Sequence, residues 1–156
     1  MSQLKWTCQT FEQLSKEDLY QILMERVNVF VVEQTCPYPE LDDRDQKALH
    51  IMAKEDGIIV AYCRIFQSGI MYKEASIGRV LVTQAGRKKS YGKLLLSTAL
   101  EKLNELHETC VKIQAQAYLK SFYESFGFEA ISDCYDEDGI PHLDMVKKER
   151  IYHEET

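Results

Sequence analysis

No stretch of this 156-residue chain approaches the roughly 20 consecutive apolar residues that a bilayer-spanning helix requires. The opening Met1-Ser2-Gln3-Leu4-Lys5-Trp6 has neither the basic start nor the apolar core of a secretory signal. Positive charge is in deficit: 19 Lys and Arg face 25 Asp and Glu, a net charge of −6. That balance argues against nucleic acid or an anionic membrane as a partner, since both need a basic field. Proline is scarce, with two of its three residues in Cys36-Pro37-Tyr38-Pro39, and no linker, repeat or low-complexity tract divides the chain. The five cysteines (Cys8, Cys36, Cys63, Cys110 and Cys134) are odd in number, scattered, and include no Cys-x-x-Cys pair. A disulfide framework or a zinc site needs tighter spacing, and His50, His107, His142 and His153 lack metal-ligand spacing as well. These absences lead to the expectation of one domain over residues 1–156, cytoplasmic and without a metal, its small thiols sitting in a reducing compartment. What is present, 45% hydrophobic and 28% charged residues, is the composition of a globular protein with a real core.

Periodicity predicts the elements. Leu4, Trp6 and Cys8 alternate with polar residues, as in a short strand. Ser15, followed by Glu17 and Asp18, starts a helix whose apolar stripe runs through Leu19, Ile22, Leu23, Val27 and Phe30. Arg26 falls on that stripe, where pairing inside is favoured slightly over snorkelling at the rim. A polar loop spans 33–46. Residues 48–54 and 58–66 read as strands joined by an Asp56-Gly57 hairpin turn. Next come a strand over 74–82, a helix over 90–107 and a strand over 110–117. Leu95, Leu96, Ala99, Leu100, Leu103 and Leu106 form the buried face of that helix. A short helix over 118–126 stops at Gly127, and strands over 128–132 and 140–146 close the chain around a loop containing Asp138-Gly139. The order β-α-(loop)-β-β-β-α-β-α-β-β predicts a mixed sheet with helices on its faces, of class α/β or α+β.

Residues 77–100 carry the chemistry. The strand Ile77-Gly78-Arg79-Val80-Leu81-Val82 leads through Thr83-Gln84-Ala85-Gly86 into Arg87-Lys88-Lys89-Ser90-Tyr91-Gly92-Lys93, which opens the long helix. Free backbone N–H groups, the positive end of the helix dipole and three consecutive cations converge there, the makings of an anion site. A solvated basic loop is the plainer alternative. Neither a P-loop nor the dinucleotide fingerprint Gly-x-Gly-x-x-Gly is present.

These residues resemble motif A of the GNAT superfamily of acyl-CoA-dependent N-acyltransferases, Gln/Arg-x-x-Gly-x-Gly/Ala. Arg87 matches its first position and Gly92 its last, while Ser90 replaces the middle glycine. Ala117-Tyr118-Leu119-Lys120-Ser121-Phe122-Tyr123-Glu124-Ser125-Phe126-Gly127-Phe128 is similar to motif B, an aromatic-Tyr-Glu-x-x-Gly-Phe run after the fifth strand. The ElaA group within the superfamily is resembled in order along nearly the whole chain. The matching pieces are Arg26-Val27-Asn28-Val29-Phe30-Val31-Val32-Glu33-Gln34, the acidic loop before His50, Ile77-Gly78-Arg79-Val80, Ala115-Gln116-Ala117 and Glu137-Asp138-Gly139-Ile140-Pro141-His142.

The resemblance implies a single-domain fold whose mixed, mostly antiparallel sheet splays between strands four and five, with helices on both faces. Acetyl-CoA would be the co-substrate, lying in the gap. Val80, Leu81 and Val82 would meet its pantetheine, as would the Gln116 amide. Arg87 and the backbone N–H groups of Lys88, Lys89, Ser90, Tyr91, Gly92 and Lys93 would cradle the pyrophosphate. Tyr123 stands at the general-acid position, with core packing as its alternative role. The base is open among Glu33, Glu74, His50 and His142. Glu33 and His142 are carried forward, because the pattern around His50 suits a satisfied, half-buried histidine. Acids crowd the first long loop (Glu33, Glu40, Asp42, Asp43, Asp45) and the last (Asp133, Asp136, Glu137, Asp138). They would favour a cationic amine unless Arg26, Arg64 and Arg79 pair with them internally. The expected activity is N-acetyl transfer to a small-molecule or peptide amine by a monomer or homodimer. The alternatives are a non-catalytic acyl-CoA-binding module and an acyl-homoserine-lactone synthase; the short chain and its only tryptophan, Trp6, argue against the second.

Overall fold

The computed structural model describes residues 4–87 and 89–148. In chain order the elements are β1 (Leu4–Thr10), α1 (Lys16–Val27), β2 (Leu49–Glu55), β3 (Ile58–Phe66), β4 (Ala75–Val82), α2 (Tyr91–Glu105), β5 (Cys110–Gln116), α3 (Lys120–Glu124), β6 (Glu129–Ala130), β7 (Tyr135–Glu137) and β8 (Ile140–Lys148). The strands form one sheet in the order β1-β2-β3-β4-β5-β8-β6, with β7 paired to β8.

β3 is buried along all but its first residue, as its unbroken apolar run requires of a strand covered on both faces. One face packs Leu95, Leu96, Ala99 and Leu103 of α2 against Ile51, Val60, Cys63 and Ile65. The other packs Leu14 and Ile22 against Met52, Ile59, Tyr62 and Leu81. α1 starts where Ser15 accepts a hydrogen bond from the Asp18 amide at 3.0 Å. The Asp56-Gly57 and Asp138-Gly139 turns put both residues in the left-handed region (φ 52° and 83° in each), the conformation a two-residue hairpin needs.

Two irregularities shape the middle of the sheet. β3 and β4 slip register between Tyr62 and Arg64, so that Arg79, at φ 51°, bulges out of β4. β4 and β5, the one parallel pair among the described residues, are registered only at Ala75 with Val111 and Ser76 with Lys112. Beyond Ser76 the two strands part, leaving facing edges with unpaired backbone groups. This is the expected splay.

The structure departs from the sequence reading at element ends. The stripe read as helix to Phe30 is α-helical only to Val27 and widens into a π-helical segment over Asn28–Glu33. The helix read over 118–126 is a 3₁₀ turn, Ala117–Leu119, followed by the short α3. The strand read over 128–132 is just Glu129–Ala130, and the last loop contains an additional strand, β7.

Candidate functional site

The splay opens into a cleft of about 650 Å³. One wall is β4 from Ser76 to Val82 with Arg87 and Gly92; the other is Ile113, Gln114 and Gln116 of β5 continuing into Tyr118, Leu119, Phe122 and Tyr123. Val29, Phe30, Glu33, Gln34, Cys36 and Tyr38 roof it, and Glu137, Asp138, Ile140 and His142 close its side.

At one end the cleft meets the start of α2. The turn Gln84–Gly86 lies hard against β3: a Cβ on Gly86 would stand 2.7 Å from the Val60 carbonyl oxygen, so only glycine fits. Ser90 adopts the left-handed conformation (φ 58°, ψ 25°) and its side chain caps nothing. The first N–H groups of α2 therefore have no side-chain acceptor at the N-cap, and an anion at this end can take that place. Gly92 faces the cleft, and a Cβ there would touch Val82 and Phe122 only at ordinary contact distances, 3.8 and 3.9 Å. Tyr91 is buried in the core and Lys89 pairs with Glu55 at 3.1 Å, so what these two can offer a ligand is backbone. Lys93 does not line the cleft. Lys88 lies outside the described residues.

Arg87 donates to Glu33 at 2.7 Å, tying the helix-start loop to the π-helical roof. Glu33, read as a candidate base, is thus engaged by a guanidinium. Beside it Gln34 and Gln116 bridge the cleft through reciprocal amide contacts of 3.3 and 3.5 Å.

His142 is half-buried, with Nδ1 2.8 Å from the Ile140 carbonyl oxygen. A carbonyl only accepts, so Nδ1 carries the hydrogen, and whenever the ring is neutral Nε2 holds its lone pair. The ring stacks on Tyr135, and register places it beside Gln116. Tyr123 is buried with its ring edge-on to Phe122 and Phe128. Its hydroxyl has no hydrogen-bond partner among the described residues. Burial pushes its pKa above the ordinary phenol value, so it stays protonated.

The other two candidate bases are elsewhere. His50 is fully buried, its Nε2–H donating to the Asp45 carbonyl oxygen at 2.9 Å and its Nδ1 accepting from the Tyr62 hydroxyl at 2.6 Å. Burial lowers its pKa. Glu74 precedes β4 at the closed end of the splay and does not line the cleft.

Three of the first loop's acids, Glu40, Asp42 and Asp45, are consumed internally. Arg26, wholly buried, donates to Glu40 at 2.8 Å and Asp45 at 2.7 Å. Arg64 pairs with Asp42 and, at 2.8 Å, with Asp45. Arg79, turned outward by the bulge, reaches Glu40 at 2.6 Å and Asp42 at 3.5 Å, and the Tyr38 hydroxyl donates to Glu40. Burial alone would raise the Asp42 and Asp45 carboxyls, but the guanidiniums outweigh it, holding Asp42 well below the usual carboxylate range and lowering Asp45 as well. Three cations and three anions close on themselves, leaving Glu33, Glu137 and Asp138 as the acids of the cleft. The sequence signalled this network through Arg26 on an apolar stripe and through the alternative that Arg26, Arg64 and Arg79 pair with the loop acids, which is the arrangement found. Gln34, Tyr38, Tyr72 and Ser76, which also line the cleft, gave no local signal as site residues.

Compared with known families, residues 10–149 match the one described as an acetyltransferase (GNAT) domain. The chain is similar to protein ElaA of Escherichia coli (strain K12), 38% identical over 148 residues that span 93% of this chain and 97% of ElaA. It is similar to the UPF0039 protein C11D3.02c of Schizosaccharomyces pombe, 40% identical over 148 residues with the same two shares. Among solved structures, an acyl-CoA N-acyltransferase from Pseudomonas aeruginosa superposes with a TM-score of 0.89 at 38% identity, over 93% of this chain and 99% of that one. The Escherichia coli ElaA structure gives 0.87 at 38% identity, over 94% and 100%.

Proposed function

The chain belongs to the GNAT acetyltransferase family, in its ElaA-like branch, and from that membership we propose that it moves the acetyl group of acetyl-CoA onto a primary amine by direct attack on the thioester. The observation that carries this reading is the pair of strand edges facing each other across the cleft, with the uncapped start of α2 at one end. The pantetheine arm lies between the edges as an extra strand, its amides bonded by the backbone of Val80, Leu81 and Val82 and by the Gln116 side chain. Arg87 and the N–H groups at the start of α2, up to Gly92, receive the pyrophosphate.

The amine nitrogen attacks the thioester carbonyl carbon, forming the N–C bond. As the C–S bond breaks, its electron pair leaves with sulfur. The amine proton passes to His142 Nε2, and the Tyr123 hydroxyl donates its proton to the departing thiolate. The tautomer fixed by Ile140 supports His142 as the base over Glu33, whose carboxylate is held by Arg87. Glu137 and Asp138 draw the ammonium form of the acceptor toward the cleft. A cytoplasmic location goes with this reading, supported by five cysteines that form no disulfide.

The test has two parts. Millimolar acetyl-CoA should raise the melting temperature, since a ligand at 100 times its Kd stabilises the folded state by about 2.7 kcal/mol. A free-thiol assay over polyamines, aminosugars, amino acids and lysine peptides should then find turnover. No thermal shift would overturn the reading; a shift with no turnover on any amine would make the protein a binding module.

A further inference from the structure

The end of the cleft farthest from α2 plays no part in the proposed transfer, and its polar groups lack opposite numbers. Phe66 pairs with Ser76 and Ser76 with Lys112, so these three form one row across a single face of the sheet. Ser76 is only 4% exposed, yet it lines the cleft and its hydroxyl has no hydrogen-bond partner among the described residues. Arg64, one register step along and 1% exposed, keeps a buried Nε–H that donates to nothing among the described residues. Lys112 forms no ion pair among the described residues and is not itself in the cleft lining; its ammonium sits 4.7 Å from the ring centre of Tyr72, which is. Asp144, an acid on β8 diagonal to Lys112, already accepts from the Tyr135 hydroxyl at 2.6 Å. A hydroxyl and a guanidinium N–H on lining residues, with an ammonium bordering them at Tyr72, thus share one stretch of the sheet with spare donors, and the group that satisfies such a set is a carboxylate.

The opposite polarity lies at the reacting end, where Glu137 and Asp138 accompany His142. Lys112 and Gln116, which is registered with His142, are four residues apart on β5, about 13 Å at the ~3.3 Å rise of a strand. Side chains reaching inward from both ends take up part of that span. The remainder is too long for an α-amino group and its own carboxylate, and suits an amine at the end of a chain of several carbons. Phe66, Met71 and Tyr72 give that chain an apolar bed.

Resting on the acetyl-transfer reading, we propose that the acceptor is an ω-amino carboxylate, whose amine faces His142 and whose carboxylate seats on Ser76, Lys112 and Arg64 Nε. The side-chain amine of free lysine and 6-aminohexanoate have this form.

The test titrates coenzyme A-saturated protein by calorimetry with 6-aminohexanoate, hexylamine and 4-aminobutyrate, then ranks the same compounds by kcat/KM with acetyl-CoA. 6-Aminohexanoate should bind and react at least tenfold better than hexylamine, which lacks the carboxylate, and than 4-aminobutyrate, which is too short. Ser76→Ala and Lys112→Met should each pull the ratio to hexylamine toward one. Lys112→Met keeps the side-chain stem on a partly exposed position, so it stays informative if the buried serine does not tolerate change. Equal or better binding of hexylamine, no binding of 6-aminohexanoate, or a preference that survives both substitutions would overturn the inference. The preceding coenzyme A titration separates the two failures: if coenzyme A binds and the preference is absent, only this inference falls.

Discussion

A buried phenol with no partner keeps its proton, and Tyr123 is in that state beside the parted strands. Tyr123→Phe retains the ring contacts with Phe122 and Phe128 and breaks no hydrogen bond among the described residues, so the melting temperature and coenzyme A affinity should hardly move. Turnover should fall by roughly 10²–10⁴-fold if the hydroxyl protonates the leaving thiolate; full turnover on a genuine substrate would remove the residue from the mechanism. Gly92 permits a second separation. There is room for a Cβ, so Gly92→Ala should fold normally and bind coenzyme A nearly as well as the parent. Gly92→Glu sets a negative charge at the helix start, and calorimetry should show at least a tenfold loss of affinity. Both residues were legible in the sequence because each sits in a motif with fixed neighbours. The far end of the cleft was not. Ser76 looks like any small residue in a buried strand, and only the pairing of three strands shows that its hydroxyl faces open space.

At the scale of elements, the loop between the roof and β2 is held by charge. Removing Arg26 would leave the Glu40 and Asp45 carboxylates buried with one partner fewer each, a change that costs about 3–5 kcal/mol in comparable networks. Arg26→Ala should therefore lower the denaturant midpoint sharply without changing the chemistry of the cleft; a loss below about 1 kcal/mol would mean that the loop is held by other contacts. The sequence placed Arg26 correctly on the inner stripe and raised the possibility of pairing with loop acids. It did not select those acids, because partners 14 and 19 residues ahead are chosen by the path of the chain. Strand and helix cores were legible from periodicity; the π-helical segment was not, since Val27 and Phe30 fit an unbroken α-helical stripe equally well. Nor was β7, whose three residues are too few to show an alternation.

For the whole molecule these buried charges fix the response to acid. His50 has a lowered pKa in the folded state, so as pH falls below about 6.5 the unfolded chain takes up the proton first. Stability is whole above that pH and declines below it, by up to ~1.4 kcal/mol per pH unit. Asp42 and Asp45 are lowered too; their contribution is complete above the ordinary carboxylate pKa of about 3.9 and is lost as pH drops further. Urea midpoints measured from pH 8 to 3 should show a first decline beginning near 6.5 and a second below about 4. A flat midpoint between pH 7 and 5 would mean that His50 is protonated equally in both states. The parted strands have a consequence of another kind. Along β4 and β5 successive amides point to opposite sides, so those directed at β3 or β8 are locked in the ladder while their neighbours across the gap are not. In the unliganded protein, deuterium should enter these two strands at every second residue, and a bound pantetheine arm should close the open positions selectively. The isotope pattern would then trace the outline of the missing strand one amide at a time.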